Sequence, residues 1–209
     1  MSAGARVVLA TRNAHKVVEL REILAELVVG TGIDLDVAVV GIADVSDAPD
    51  VVESGVTFAE NSLLKARAAC AATGLPALAD DSGLAVDVLG GSPGVFSARW
   101  SGAGGDAANV ALLLAQLVDV PDEHRAAAFV CAASLVTPQG DEVVEHGHLA
   151  GTLEREPRGT NGFGYDPILR VDAARTLAEL TPAQKNAISH RGQALRALAP
   201  HVLALLTEA

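Results

Sequence analysis

The chain has 209 residues, half of them hydrophobic, and a formal net charge of −11. That length suits one good-sized domain, and the acidic balance argues against a general nucleic-acid binder, which needs a basic face. No apolar run approaches the ~20 residues of a membrane span, the first residues hold no apolar leader core, and two isolated cysteines, Cys70 and Cys131, suggest neither a disulfide framework nor a zinc site; a soluble cytoplasmic protein is expected.

Arg6 to Ala10 predicts a short buried strand, and Val17, Leu20, Ile23, Leu24 and Leu27 follow at helical spacing. The turn between them, Thr11-Arg12-Asn13-Ala14-His15-Lys16, delivers backbone N–H groups, the positive end of a helix dipole and a lysine to one place. That combination suits an anion, although the glycines and the Gly-Lys-Ser/Thr ending of a P-loop are missing. An ordinary N-cap at Asn13 beside a solvated Lys16 fits the segment equally well. Leu35 to Ile42 predicts a second strand, and Asp44 to Ser54 an acidic connection running into Glu53-Ser54-Gly55. Thr57 and Glu60 form a capping-box pattern that starts a helix, on which Asn61 and Lys65, four apart, share a face.

Ala77-Leu78-Ala79 predicts a buried strand ending in Asp80-Asp81-Ser82-Gly83, after which apolar residues return at Leu84, Val86 and Val88. Burying unpaired carboxylates is costly, so two acids there face a cleft, a cation or a ring of N–H donors. A strand-end turn with Gly83 at a special backbone angle is the plainer alternative. Loops at Gly90–Gly94 and Ser101–Gly105 flank Arg99-Trp100, a lip to a cleft, and Asp106 is expected to cap a helix through Leu112, Leu113 and Leu117. Ala126 to Val136 and Glu142 to Ala150 predict two strands joined as a hairpin at Pro138–Asp141, which makes the sheet mixed. In Gly159–Pro167, Phe163 and Tyr165 are two of only six aromatic residues. Rings among glycines suit stacking on a flat ligand, and equally anchoring a loop to the core. Ser189-His190-Arg191-Gly192 opens a C-terminal helix. The chain keeps three lysines, Lys16, Lys65 and Lys185, against twelve arginines, and each lysine stands in or beside one of these stretches.

Together these residues offer the three parts of a magnesium-dependent nucleotide site: the acids Glu53, Asp80 and Asp81 for a hard cation, lysines for phosphates and rings for a base. Hydrolysis at phosphorus is the natural chemistry; which phosphorus and which base stay open on the residues alone.

The motifs Thr11-x-Asn13-x-x-Lys16, Glu53-Ser54-Gly55-x-Thr57-Phe58-x-x-Asn61-x-x-x-Lys65-Ala66, Ala79-Asp80-Asp81-Ser82-Gly83-Leu84, Pro93-Gly94-x-x-Ser97-Ala98-Arg99, Gly162-Phe163-Gly164-Tyr165-Asp166-Pro167 and Ser189-His190-Arg191-Gly192 resemble, in order, those of the inosine triphosphate pyrophosphatase family, also called Ham1. The resemblance runs from Val7 to the C-terminal helix. It implies an α/β fold with an elongated central mixed β-sheet flanked by helices, two lobes around a substrate cleft in a single domain spanning 1–209, and a homodimer. It also implies Mg²⁺-dependent hydrolysis of the purine nucleoside triphosphates dITP, ITP and XTP to the monophosphate and pyrophosphate, which keeps deaminated purines out of DNA and RNA.

By the same resemblance Asp81 is the proton acceptor and a metal ligand, with Glu53 the second metal-binding carboxylate. Thr11, Arg12, Asn13, Ala14, His15 and Lys16 form the phosphate cradle, and Ser82 contacts substrate. Phe163 and Tyr165, with Gly164 between them, wall the base; Asp166, Lys185, His190 and Arg191 contact base and phosphate. Beyond the resemblance, Arg191 is expected to donate to the 6-oxo group, a bond that adenine's 6-amino group could not accept. Arg12 and His15 stand where relatives often carry smaller residues, and Asn161 where glycine is common. Two readings from other classes remain: a pyrophosphatase of another fold acting on pyrimidine nucleotides, and a non-catalytic nucleotide sensor, which would have no use for Asp81.

Overall fold

The structure is a computed structural model, and residues 6–25 and 27–208 are described. Val7–Leu9, three buried apolar residues, form β1, and α1 follows over Ala14–Ala25. The predicted strand from Leu35 to Ile42 is only half a strand. Asp34 accepts from the backbone N–H of Asp36 and so caps a short helix, α2 (Leu35–Ala38), which leaves Val39–Gly41 as β2 and turns Ile42–Asp44 into a 3-10 turn. The capping box forms as predicted: Thr57 Oγ1 accepts from Glu60 N at 3.1 Å and Glu60 Oε2 from Thr57 N at 3.2 Å. It opens α3 (Phe58–Thr73), which closes on Gly74 at φ 69°.

The next strand corrects a second expectation. β3 runs without a break from Ala77 to Val86, so Asp80 and Asp81 lie inside a strand and Gly83 is a buried strand residue with no turn to make. Val88, expected to continue the alternation, lies in the 3-10 turn Asp87–Leu89. The acids need no turn to reach solvent because cations are brought to them. α4 (Gly105–Gln116) has Gly104 at its N-cap; Asp106 sits in the first turn and instead accepts from Gly164 N at 2.8 Å. β4 (Ala126–Val136) and β5 (Glu142–Leu153) are joined by a turn in which Thr137 N donates to Asp141 O at 3.0 Å. β6 (Leu169–Arg170), α5 (Pro182–Ile188) and α6 (His190–Glu208) complete the chain.

The six strands form one sheet in the order β2-β1-β3-β4-β5-β6. β1 is parallel to β2 and β3, and β5 antiparallel to β6, so the fold is α/β with a mixed sheet and helices in sequence between the strands. The chain divides into two compact units. One holds the chain through Asp81, residues 132–147, and the chain from Arg191; the other holds residues 82–131 and 148–190.

The first unit packs small residues of α3 (Ala66, Ala69, Cys70) against Ala77 and Ala79 of β3 with Val8, Val40 and Val136. Ser62 of α3 donates to Ala79 O at 3.0 Å and pairs with Ser134 of β4 at 2.7 Å, both serines fully buried. The second unit has a larger core of Leu84, Val86, Leu113, Leu117, Phe129, Leu153, Ile168 and Leu169, which also takes Tyr165. Trp100, expected at a lip, packs against this core and donates from Nε1 to Gln116 at 3.0 Å. Arg125 is 1% exposed and gives its guanidinium to three carbonyls, Leu117, Leu153 and Glu154, at 2.7 to 2.9 Å, which ties the end of α4 to the end of β5.

Candidate active site

Successive side chains of a strand point to opposite faces, and this separates the two neighbouring acids of β3. Ala77 and Ala79 face α3, and Asp81 continues their row; Asp80 has the other parity and meets α1 and α6. Each acid therefore has its own cations.

Asp80 is 6% exposed and accepts from Lys16 Nζ at 2.8 and 2.9 Å and from Arg191 Nε at 3.0 Å. Burial alone would push its pKa up, but the adjacent Lys16 and Arg191 charges outweigh that and hold the carboxyl well below the usual range. Both cations are thereby fixed in place. The turn before α1 is held from within: Asn13 N donates to Thr11 Oγ1 at 3.1 Å and Lys16 N to Asn13 O at 3.1 Å. Arg12 turns to the acidic connection, where it pairs with Asp50 at 3.1 Å and donates to Ala48 O, so what it offers the turn is backbone. Ala14 and His15 begin α1, and their side chains lie outside the described residues.

Asp81 belongs to a second cluster, organised by one face of α3. Lys65 Nζ lies 2.9 Å from Glu53 Oε1 and 3.0 Å from Asp81 Oδ1. Four residues earlier Asn61, fully buried, donates to Asp81 Oδ2 at 3.3 Å and accepts from Gly55 N at 2.8 Å. The helix face thus reaches both acids, which are 28 positions apart in sequence. Burial pushes the Asp81 carboxyl up, and the Lys65 charge offsets this only in part. For Lys65, burial acts to lower the pKa, but Asp81 and Glu53 win and raise it, so it stays an ammonium.

The second unit holds the Phe163 loop. Phe163 is 65% exposed, whereas Tyr165 is 4% exposed with its ring in the core and its hydroxyl donating to Ser97 O at 2.9 Å. Of the two predicted walls, Phe163 is the open ring and Tyr165 the anchor beneath the loop. Asp166, buried, accepts from Phe163 N at 2.8 Å and from Lys185 Nζ at 2.5 Å. Lys185 Nζ also lies 4.7 Å over the Phe163 ring. Gly162 has φ 77°, and a Cβ there would stand 2.0 Å from Asp166 Oδ2. Asn161, noted for replacing a common glycine, keeps no positive φ and binds Ala178 O and Leu180 O. His190 stacks on Phe129 at 4.9 Å, and Ser82 and Gly164 are partly buried in the same unit.

The predicted residues therefore fall into two groups: Lys16, Glu53, Asp81 and Arg191 with Asp80 in the first unit, and Ser82, Phe163, Gly164, Tyr165, Asp166, Lys185 and His190 in the second. Missing from the predicted site were Lys65, which contacts both Glu53 and Asp81, and Asn61, which contacts Asp81. The signal was present, since an Asn and a rare Lys four apart on a capped helix mark one face. Among the described residues no group of three or more His, Cys, Asp or Glu side chains gathers to hold a metal. The donors present are two carboxylates, Glu53 and Asp81, already within reach of one cationic atom. Such a sparse all-oxygen set fits Mg²⁺, which keeps several waters and takes one or two carboxylates alongside phosphate.

A mixed α/β sheet that carries a pair of split carboxylates, each dressed by lysine, defines an α/β protein with a polar site suited to a phosphate-bearing ligand. The chain belongs to the Ham1 family, whose model matches residues 7–201. It is 60% identical over 203 residues to a dITP/XTP pyrophosphatase of Streptomyces avermitilis, covering 96% of this chain and 98% of the relative. The fold is similar to that of a HAM1 protein from Coxiella burnetii, with a TM-score of 0.85 and 43% identity over 96% of this chain and 99% of that one. It is also similar to a nucleoside-triphosphatase (dITP/XTP pyrophosphatase) from Mycobacterium abscessus, with a TM-score of 0.77 and 53% identity over 93% and 99%. No helix among the described residues is long and apolar enough to cross a membrane.

Proposed function

We propose that this protein is a nucleoside-triphosphate pyrophosphatase that hydrolyses dITP, ITP and XTP to the monophosphate and pyrophosphate, and so keeps deaminated purines out of DNA and RNA. The observation that carries the reading is the convergence of Glu53, Asn61, Lys65 and Asp81 beside the clamped Lys16–Asp80–Arg191 group, in a chain this similar to a protein named dITP/XTP pyrophosphatase.

In this reading Lys16 and Arg191, fixed by Asp80, take phosphate oxygens together with the backbone of the Thr11–Lys16 turn. Glu53 and Asp81 hold Mg²⁺, which when bound supplies charge neutralisation to the polyphosphate. Asp81 orients the attacking water. As the water oxygen forms its bond to the α-phosphorus it gives a proton to the Asp81 carboxylate, the bond from that phosphorus to the bridging oxygen of the β-phosphate breaks, and pyrophosphate leaves with the electron pair.

Phe163 stacks on the purine ring. Arg191, whose Nε is fixed by Asp80, is expected at the 6-oxo group, and Lys185 at the Phe163 loop, itself held by Asp166, is a second donor to that oxygen. Adenine would present an amino group to the same donors and leave buried polarity unpaired, at about 1–3 kcal/mol.

We infer further that the enzyme is a homodimer working in the cytoplasm. Neither cysteine is in a disulfide, as suits a reducing compartment, and the exposed Val88 and Phe96 offer apolar surface for a second copy.

Chromatography of the products from ITP and Mg²⁺ tests the chemistry: IMP and pyrophosphate are expected, and IDP with inorganic phosphate would overturn it.

A further inference from the structure

Lys65 does more than balance charge. One atom, its Nζ, is within hydrogen-bond distance of both Glu53 and Asp81, the two carboxylates assigned to the metal. A cation shared by those acids would need the place that Nζ now holds. The two cations compete, since each is stabilised by the same pair of negative charges.

Residue choice agrees. The chain uses twelve arginines and only three lysines, and all three lysines pair with acids of the candidate site: Lys16 with Asp80, Lys65 with Glu53 and Asp81, and Lys185 with Asp166. Arginine is the residue that locks a carboxylate through a rigid two-pronged contact. Lysine is a point charge on a flexible stem that can leave one oxygen for another. The surroundings stay in place when Nζ moves, because Asn61 holds Asp81 through Oδ2 and the connection through Gly55 independently of Lys65.

We propose that Lys65 is the resident stand-in cation of the Glu53–Asp81 pair: it keeps the two acids together in the nucleotide-free protein, yields them to the divalent ion that arrives with the nucleotide, and moves to a phosphate oxygen. The inference rests on the assignment of Glu53 and Asp81 to the metal. The exchange predicts a protein that holds the ion weakly alone and firmly with substrate, since the ammonium released by the acids gains the phosphate as a new partner.

Mn²⁺ binding to the nucleotide-free protein, followed by electron paramagnetic resonance, tests it. Lys65→Met is expected to bind Mn²⁺ about tenfold more tightly than the wild type, because the competitor is gone and two like charges are left unbalanced. Lys65→Arg is expected to bind it several-fold more weakly. Lys65→Gln serves where Lys65→Met does not fold, and both neutral variants should melt lower than the wild type without divalent ion and recover when it is added. Unchanged or weaker Mn²⁺ binding in both neutral variants overturns the exchange. The double variant Glu53→Gln with Asp81→Asn separates the two levels. If it still binds Mn²⁺ like the wild type, the metal assignment itself fails and the exchange with it; if it loses Mn²⁺ while Lys65→Met gains nothing, the exchange alone fails.

Discussion

Arg191 Nε donates to Asp80 Oδ2 at 3.0 Å, a contact across 111 positions of sequence. It fastens the start of α6 to the middle of β3, and Lys16 at the start of α1 completes the group. The buried acid is what sets two cations at one place. Removing it leaves them repelling each other and its own site empty of charge. Asp80→Asn is expected to lower kcat/KM for ITP by on the order of 100-fold, mostly through KM, and to destabilise the protein by about 3 kcal/mol. Steady-state kinetics and urea unfolding measure both, and a variant with unchanged KM would place the phosphate cations elsewhere.

Gly55 is required by a close approach. A Cβ there would lie 2.7 Å from Glu60 Cβ and 2.8 Å from Asn61 Oδ1, and both residues hold the connection to the helix start through Val56 N and Gly55 N. Gly55→Ala is expected to push the connection away, displace Glu53, and raise the Mg²⁺ concentration for half-maximal rate by about tenfold at a stability cost of about 1–2 kcal/mol. Mg²⁺ titrations of the rate, with thermal melts beside them, check this.

Tyr165 is the single tyrosine of the chain, so its phenolate absorbance reports one group. Burial, with a smaller push from Asp106, raises its pKa to about 12. A raised folded pKa means that its contribution to stability is complete below the unfolded value near 10 and is lost as pH climbs through about 12. A spectrophotometric titration of the folded protein is expected to show that late midpoint; ionisation at the ordinary value would show the hydroxyl open to water and not on Ser97.

Arg125 binds three backbone carbonyls and no acid directly. Replacing it with methionine fills much of the volume but leaves Leu117, Leu153 and Glu154 without those donors. Arg125→Met is expected to destabilise by on the order of 3 kcal/mol and to leave KM for ITP within about twofold of wild type, since it touches neither cluster. Urea unfolding with kinetics on the folded fraction separates the two.

Much of this was legible where local rules act alone. The capping box at Thr57, the run of β4 and β5, and the shared face of Asn61 and Lys65 follow from neighbours in sequence, and the structure has them. Leu35–Ala38 was misread because one side-chain cap at Asp34 overrode an apolar strand pattern too short to resist it. The acids of β3 were misread as a strand end because a buried carboxylate is tolerable only with partners, and those partners, Lys16, Arg191 and Lys65, come from helices far away in sequence. For the same reason the unequal roles of Asp80 and Asp81 could not be read from their adjacency; strand alternation assigns them to different faces. Tyr165 and Phe163 looked alike as rings among glycines, and only the packing of the second core tells anchor from open face.

The most direct measurement is pyrophosphate release from a panel of purine and pyrimidine triphosphates, with and without Mg²⁺. Release from dITP, ITP and XTP at kcat/KM values about 10-fold to 100-fold above that for ATP is expected, since an unpaired donor costs about 1–3 kcal/mol, and no release is expected without the metal. Equal rates across the panel, or rates indifferent to Mg²⁺, would contradict the function proposed for this chain.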